Sequence, residues 1–129
     1  MQIRDFIGIP YKSHGYDFDG VDCYGLAHLF NKHMLGKDLP DYKRLYSCAH
    51  DLDQAASAFK TGVKGWSTVT NDPKLGDVIL FRDRGVVTHC GIYIDMLDFL
   101  HIREGQTSTV EALRGMAWER IMEGIMRWN

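Results

Sequence analysis

One segment is the strongest predictor of the fold class of this chain: Val86-Val87-Thr88-His89-Cys90-Gly91-Ile92-Tyr93-Ile94. It is rich in β-branched and apolar residues, which predicts a buried strand, and strand alternation places His89 and Cys90 on opposite faces. Runs of similar character flank it at residues 78–81, 99–103, 107–111 and 123–128. The second half of the chain is therefore predicted to form an antiparallel β-sheet.

Helical patterns precede these strands. A first helix is predicted to begin at Asp22, a favoured N-cap, and to stop at Gly36. A second is predicted over residues 51–62, where apolar side chains recur with helical spacing. The polar residues 13–20, which precede the first helix, predict a loop. Helices followed by strands predict an α+β fold in which N-terminal helices pack on an antiparallel β-sheet.

The composition predicts one globular domain, residues 1–129, with 45% hydrophobic and 25% charged residues. The net charge of −2 offers no basic surface, and no apolar run approaches the roughly 18 residues of a membrane span. Neither nucleic acid nor membrane is therefore predicted as a partner. The first residues lack the apolar core of a signal peptide, which predicts synthesis into the cytoplasm. Three cysteines, an odd number, predict reduced thiols.

Cys23 occupies an informative place, one residue after the predicted N-cap. The free amides and the dipole at a helix N-terminus stabilise a thiolate, and the same amides can donate to an oxyanion. Gly25 is expected to let the helix lie close to the sheet. The alternative is a buried structural cysteine, which is the expected state of Cys90 beside Ile92.

Two histidines are predicted to share one face of neighbouring strands. Alternation puts His89 and His101 on the same face when residue numbers that oppose each other sum to an even constant. A sum of 192 places His101 opposite Gly91 and diagonal to His89. His89 is then a candidate base for the thiol, and His101 is a candidate group that orients its ring. The alternative is two ordinary strand histidines.

A zinc site is an alternative interpretation of four residues whose types are common zinc ligands: Cys23, His89, Cys90 and His101. Alternation opposes it, because His89 and Cys90 point to opposite faces. No metal ion and no cofactor is therefore predicted.

Five segments, in order along the chain, resemble the NlpC-type peptidases. Gly8-Ile9-Pro10-Tyr11 resembles the family's opening, and Asp22-Cys23-Tyr24-Gly25 resembles its Asp-Cys-Ser-Gly motif. The segment Pro73-Lys74-Leu75-Gly76-Asp77-Val78 resembles its Pro-x-x-Gly-Asp-Leu strand entry. His89-Cys90-Gly91-Ile92-Tyr93 resembles its His-Val-Gly-Ile-Tyr strand, and Phe99-Leu100-His101 resembles the strand that carries a third polar residue.

The resemblance implies a papain-like fold and a cysteine endopeptidase that acts on the peptide stems of bacterial peptidoglycan. The bond implied joins γ-D-glutamate to a diamino acid. The resemblance implies Cys23 as nucleophile, His89 as base, His101 as orienting residue and Tyr11 as a tyrosine near the nucleophile. Three neighbouring residues are further predicted to contact substrate: Asp22, Tyr24 and Gly91. Tyr24 replaces the usual serine, which is expected to narrow the cleft or shift substrate choice.

Residues 118–127 resemble the ending of phage tail-associated members. This implies phage tail proteins as further partners and incorporation into a virion or release at lysis. Two alternatives to the endopeptidase follow: a non-catalytic tail-tip or assembly module, and another amidase or acyltransferase on the same fold.

Overall fold

The computed structural model describes residues 1–40, 65–114 and 116–128. Its elements, in chain order, are a 3-10 turn (Ile3–Phe6), β1 (Tyr16–Asp17), β2 (Gly20–Val21), α1 (Cys23–Phe30), a π-helical turn (Asn31–Leu35), β3 (Trp66–Thr68), β4 (Val78–Asp83), β5 (Val86–Tyr93), β6 (Asp98–His101), β7 (Thr109–Ala112), α2 (Met116–Arg120) and β8 (Met122–Trp128). Among the helices of these residues, none combines the length and apolarity needed to cross a membrane.

Six strands form one antiparallel sheet in the order β3-β8-β4-β5-β6-β7. The five strands predicted from the sequence are all present, and α1 packs on the sheet against β5. The α+β class is therefore confirmed. Strand β3 and helix α2 were not predicted, because each has only three to five residues. The helix predicted over residues 51–62 lies outside the described residues.

Each face of the sheet buries its own apolar cluster. The face toward α1 buries Leu26 and Phe30 of the helix against Val78, Cys90 and Ile92 of the sheet. The opposite face buries an aromatic group that α2 helps to cover: Ile79, Phe81, Tyr93, Phe99 and Leu113, with Trp118 packed against them. Full burial of one such side chain contributes about 2 kcal/mol, so these contacts hold both helices against β4 and β5.

The start of α1 is fixed by a buried carboxylate. Asp22 is fully buried and is the N-cap, as predicted; its side chain accepts hydrogen bonds from the amides of Gly25 (2.7 Å) and His14 (3.0 Å). It therefore joins the helix start to the segment that precedes it. At the other end, Gly36 adopts the left-handed conformation that ends the helical segment, which was also predicted.

That preceding segment is a small hairpin and not the loop predicted for residues 13–20, because β1 pairs with β2. Three glycines make its close packing possible. A Cβ on Gly25 would lie 1.8 Å from the carbonyl oxygen of Gly15, and one on Gly15 would lie 2.3 Å from that of Gly20. Gly25 thus admits the hairpin, and the expectation that it admits the sheet is corrected.

The Gly76-Asp77 motif anchors β4 at the edge of the same core. Gly76 has a φ of +93°, and its carbonyl accepts a hydrogen bond from the buried Asn31 side chain at 3.1 Å. Asp77 is buried and accepts two hydrogen bonds from Arg127 of β8, at 2.8 and 2.7 Å. A bidentate pair of this kind fixes the two strands in register.

We predict that Gly25→Ala destabilises the fold by about 3 kcal/mol, because the new methyl group would overlap a backbone carbonyl. Urea unfolding would measure the loss. Gly124→Ala is the matched control: a Cβ there meets nothing within 4 Å, so the free energy of unfolding should change by less than about 1 kcal/mol. Equal stability of the two variants would contradict the close packing of hairpin and helix.

Candidate active site

A cleft of about 430 Å³ opens where the start of α1 meets β4, β5 and the segment after β6. Cys23, His89 and Tyr11, three of the predicted site residues, lie in its wall. The remaining lining residues are Phe81, Arg82, Asp83, Thr88, Ile102, Arg103, Glu104, Trp118 and Ile121. The structure therefore brings the cysteine and the histidine together, as the predicted roles require.

Cys23 is the first residue of α1, and its thiol reaches two side chains of β5. A hydrogen bond from Cys90 lowers the pKa of Cys23 most strongly, and a hydrogen bond and the charge of His89 lower it further. Burial opposes these effects, but the pKa still falls well below its ordinary value. The site therefore favours the thiolate, which is the nucleophilic form, more than an ordinary thiol environment does.

Cys90 lowers the pKa of Cys23, an effect that the sequence did not predict. It packs in the core beside Ile92, as expected, but its thiol also hydrogen-bonds to Cys23. That hydrogen bond, together with burial and the charge of Cys23, raises the pKa of Cys90 well above its ordinary value. Cys90 thus remains a protonated donor, and Cys23 carries the negative charge.

A β-bulge sets the position of His89. Phe81 pairs with His89, whereas Arg82 pairs with Val87, so Thr88 is the extra residue of β5. Bulges change the direction of neighbouring side chains and are common beside active sites. The His89 ring stacks on Phe81 with 5.6 Å between ring centroids, which limits its rotation.

His101 holds the other side of the His89 ring. The predicted register is confirmed: Ile92 pairs with Leu100, so the sum is 192. Nε2 of His89 lies 3.0 Å from Nδ1 of His101. His101 is 2% exposed, and burial, followed by the charge of His89, lowers its pKa to about 4. His101 is therefore neutral at pH 7, and it can accept a hydrogen bond from His89.

The sequence does not predict two further residues, Glu111 and Trp118, which extend the hydrogen bonds beyond His101. Glu111 of β7 hydrogen-bonds through Oε2 to Nε2 of His101, and Trp118 of α2 donates to Glu111 Oε1 at 3.4 Å. The Trp118 ring also contacts both histidines, with centroid distances of 4.8 and 5.6 Å. Glu111 lies in the strand predicted over residues 107–111, but the sequence does not show that this strand pairs with β6.

The three residues predicted to contact substrate are not among the lining residues of this cleft. Asp22 is fully buried as the helix cap, and Tyr24 is 3% exposed with its hydroxyl donating to the Pro40 carbonyl at 2.5 Å. A Cβ on Gly91 would lie 2.7 Å from the Phe99 ring, so Gly91 makes room for Phe99 and not for the His101 imidazole. Asp22 and Tyr24 are therefore buried and outside the cleft lining, and direct substrate contact by the three residues stays a prediction.

The zinc alternative finds no matching geometry in residues 1–40, 65–114 and 116–128. No three of their His, Cys, Asp and Glu side chains are grouped so that they could hold a metal ion. The arrangement found is a row of hydrogen bonds from Cys90 through Cys23, His89 and His101 to Glu111.

Comparison with known proteins agrees with the resemblance of the motifs. The model of the NlpC/P60 family matches residues 8–127. The murein DD-endopeptidase MepS/murein LD-carboxypeptidase of Escherichia coli strain K12 is 24% identical over 119 residues, which are 92% of this chain and 55% of that protein. A probable endopeptidase NlpC homolog of Haemophilus influenzae is 24% identical over 91% of this chain and 54% of its own length. The chain thus spans about half the length of these curated relatives.

Solved structures show the same fold. The NlpC/p60 domain of the peptidoglycan hydrolase SagA superposes with a TM-score of 0.60 at 18% identity, covering 96% of this chain and 91% of that one. NlpC2 of Trichomonas vaginalis gives a TM-score of 0.68 at 20% identity, covering 97% and 44%. At these identities the likeness establishes the papain-like fold alone.

We predict that the alkylation of Cys23 by iodoacetamide has its pH midpoint below the ordinary value of a thiol. Site-resolved mass spectrometry of the Cys48→Ser protein would give the midpoint. Cys90→Val removes the thiol donor at similar volume and should raise that midpoint. A midpoint at the ordinary thiol value, or one that Cys90→Val leaves unchanged, would contradict the geometry.

We also predict a pH dependence of stability from His101. Its folded pKa of about 4 lies below its unfolded value, so the unfolded state binds more protons between the two. The free energy of unfolding should therefore fall as pH drops, by on the order of 2 kcal/mol between about pH 6.5 and about pH 5. Urea unfolding of wild type and His101→Gln at several pH values would test this, since the free energy of unfolding should depend less on pH in the variant. An identical pH dependence in the two proteins would refute it.

Proposed function

This chain belongs to the NlpC/P60 family, and we propose that it is a cysteine endopeptidase that hydrolyses amide bonds in the peptide stems of bacterial peptidoglycan. One observation carries the proposal: Cys23 at a helix start and His89 line one cleft, His89 lowers the pKa of the Cys23 thiol, and Nε2 of His89 lies 3.0 Å from Nδ1 of His101. A nucleophile, a base and an oriented ring in this order form the arrangement that acyl transfer requires.

The first half of the reaction forms an acyl-enzyme. The Cys23 sulfur attacks the scissile carbonyl carbon, and the carbonyl electrons move to the oxygen. The backbone amide at the helix start is placed to donate to this oxyanion, and the Tyr11 hydroxyl lies in the same cleft wall. Each such donor contributes about 3 kcal/mol to the barrier reduction. His89 then gives its proton to the leaving amine as the C–N bond breaks.

The second half releases the acid product. His89, now neutral, accepts a proton from water, and the hydroxide attacks the thioester carbon. Collapse of the tetrahedral intermediate breaks the C–S bond and regenerates the Cys23 thiolate beside protonated His89. In this scheme His101 holds Nε2 of His89 in a hydrogen bond throughout. The other ring nitrogen, Nδ1, therefore serves both proton transfers.

The charges around the cleft suit a peptide that carries both carboxylates and amines. Arg82 and Arg103 alternate with Asp83 and Glu104 in the lining. Arg103 is further held over the Trp118 ring, 4.3 Å from its centroid. Peptidoglycan stems carry charges of both signs, and the Escherichia coli relative bears the name of a murein-cleaving enzyme. We therefore favour this substrate class over an uncharged peptide.

Two classes of bond in the stem are candidates: the bond before the diamino acid and the bonds after it. The motifs resemble peptidases that cut between γ-D-glutamate and a diamino acid. The Escherichia coli relative is instead named a DD-endopeptidase and LD-carboxypeptidase. Mass spectrometry of muropeptides after incubation would separate the two, because the first cut releases a fragment that begins with the diamino acid and the second leaves that residue on the stem.

Association with a phage tail, residence in a virion and the two alternative functions stay predictions. An acyltransferase on this fold would pass the acyl group from Cys23 to an amine in place of water, and a non-catalytic module would form no thioester. Product analysis with an added amine distinguishes these outcomes from hydrolysis.

We predict that Cys23→Ala and His89→Ala each lower the rate of muropeptide cleavage by about 10⁴-fold or more, because each removes one of the two reacting groups. Liquid chromatography with mass spectrometry would measure the products. His33→Gln is the matched histidine control: His33 is exposed on the π-helical turn, and the rate should stay unchanged. Cleavage by the Cys23→Ala protein at the wild-type rate would refute the proposed function.

A further inference from the structure

Glu111 ends the row of hydrogen bonds that begins at the nucleophile. It stands on β7 opposite Phe99 of β6, and His101 follows Phe99 by two residues on the same face. One carboxylate oxygen of Glu111 hydrogen-bonds to Nε2 of His101, and the other accepts from the Trp118 indole at 3.4 Å. Both oxygens are thus engaged, and the carboxylate has a fixed direction relative to the ring.

The carboxylate is ionised at neutral pH. Partial burial by itself would raise the pKa of Glu111, but the hydrogen bond and charge of His101, the Trp118 donor and the charge of Arg103 together lower it. An ionised carboxylate can only accept hydrogen bonds. Nε2 of His101 must therefore carry a hydrogen.

The neutral His101 ring then has its lone pair on Nδ1. This nitrogen lies 3.0 Å from Nε2 of His89, and two nitrogens at that distance share one hydrogen. Because Nδ1 of His101 is the acceptor, Nε2 of His89 must be the donor. The remaining nitrogen of His89, Nδ1, is therefore the one that exchanges a proton with Cys23.

We infer that Glu111 is a positioning residue: it fixes His101 in the Nε2–H tautomer and so directs Nδ1 of His89 toward the Cys23 thiol. Without the carboxylate, His101 is free to carry its hydrogen on Nδ1, where it would face the hydrogen on Nε2 of His89. The two rings would then lose their hydrogen bond, and His89 would lose its orientation. The inference rests on the proposed function only in taking Cys23 and His89 as the reacting groups.

Nitrogen-15 NMR of the wild-type protein at neutral pH tests the tautomer without any substrate. His101 should show a protonated Nε2 and an unprotonated Nδ1. In Glu111→Ala the two tautomers should become mixed, whereas Glu111→Gln, whose amide oxygen can still accept, should retain the wild-type tautomer. A wild-type ring protonated on Nδ1 would overturn the inference, and this result needs no variant to fold.

Kinetics provide the second measurement. Glu111→Ala should lower kcat by about 10-fold to 100-fold with KM unchanged, the range seen for partners that orient functional imidazoles at metal sites. Glu111→Gln should recover most of the loss. Glu119→Gln, an exposed glutamate of α2 outside the cleft lining, is the control and should match wild type.

The outcomes separate the two proposals. A tautomer that mixes in Glu111→Ala, with a fall in kcat that Glu111→Gln reverses, supports the positioning role. An unchanged tautomer in Glu111→Ala, or a kcat within about twofold of wild type, overturns it. If muropeptides prove not to be the substrate, the NMR result and the alkylation rate of Cys23 in the same variants still decide the inference.

Discussion

The N-terminal end of α1 rests against β5, and the chemistry of the cleft depends on this contact. The helix begins at Cys23, whose sulfur reaches both Cys90 and His89 of the strand. One residue of shift along the helix would turn the sulfur by about 100°, away from the strand. The buried Asp22 cap and the close approach of Gly25 to Gly15 prevent such a shift, because both fix the first turn to the hairpin.

From this contact a row of polar groups passes from one face of the sheet to the other. Cys90 belongs to the core under α1, whereas His89 stacks on Phe81 and His101 packs edge-on against Trp118 in the aromatic cluster. Buried polar groups are costly unless each has a partner, and here every member of the row has one. The row is therefore stable only as a unit, and aromatic packing keeps the two imidazoles in a single orientation.

The sequence predicted those parts of the fold and site that depend on local pattern. Alternation placed His89 and His101 on one face, and the N-cap preference of Asp22 located the thiol at the helix start; both placements are confirmed. The contacts of Cys90 and Glu111 were missed, because they depend on how separate elements meet. Alternation alone cannot show that a helix end reaches both faces of a bulged strand, nor which strand lies beside β6.

The same limit explains why two residues beside the nucleophile in sequence lie outside the cleft lining. Asp22 and Tyr24 adjoin the nucleophile in sequence, but the helix turns their side chains into the protein, toward the hairpin and Pro40. Neighbours along a helix do not share a face, so proximity to Cys23 in the sequence did not imply proximity to the cleft.

In the proposed reaction, the Cys23 sulfur bonds covalently to the acyl part of a peptidoglycan stem. Acid quenching during turnover, followed by peptide mapping with mass spectrometry, tests it most directly. We expect a thioester-linked stem fragment on Cys23 and on no other residue. Continued turnover with Cys23 unmodified, or an adduct on a different side chain, would contradict it.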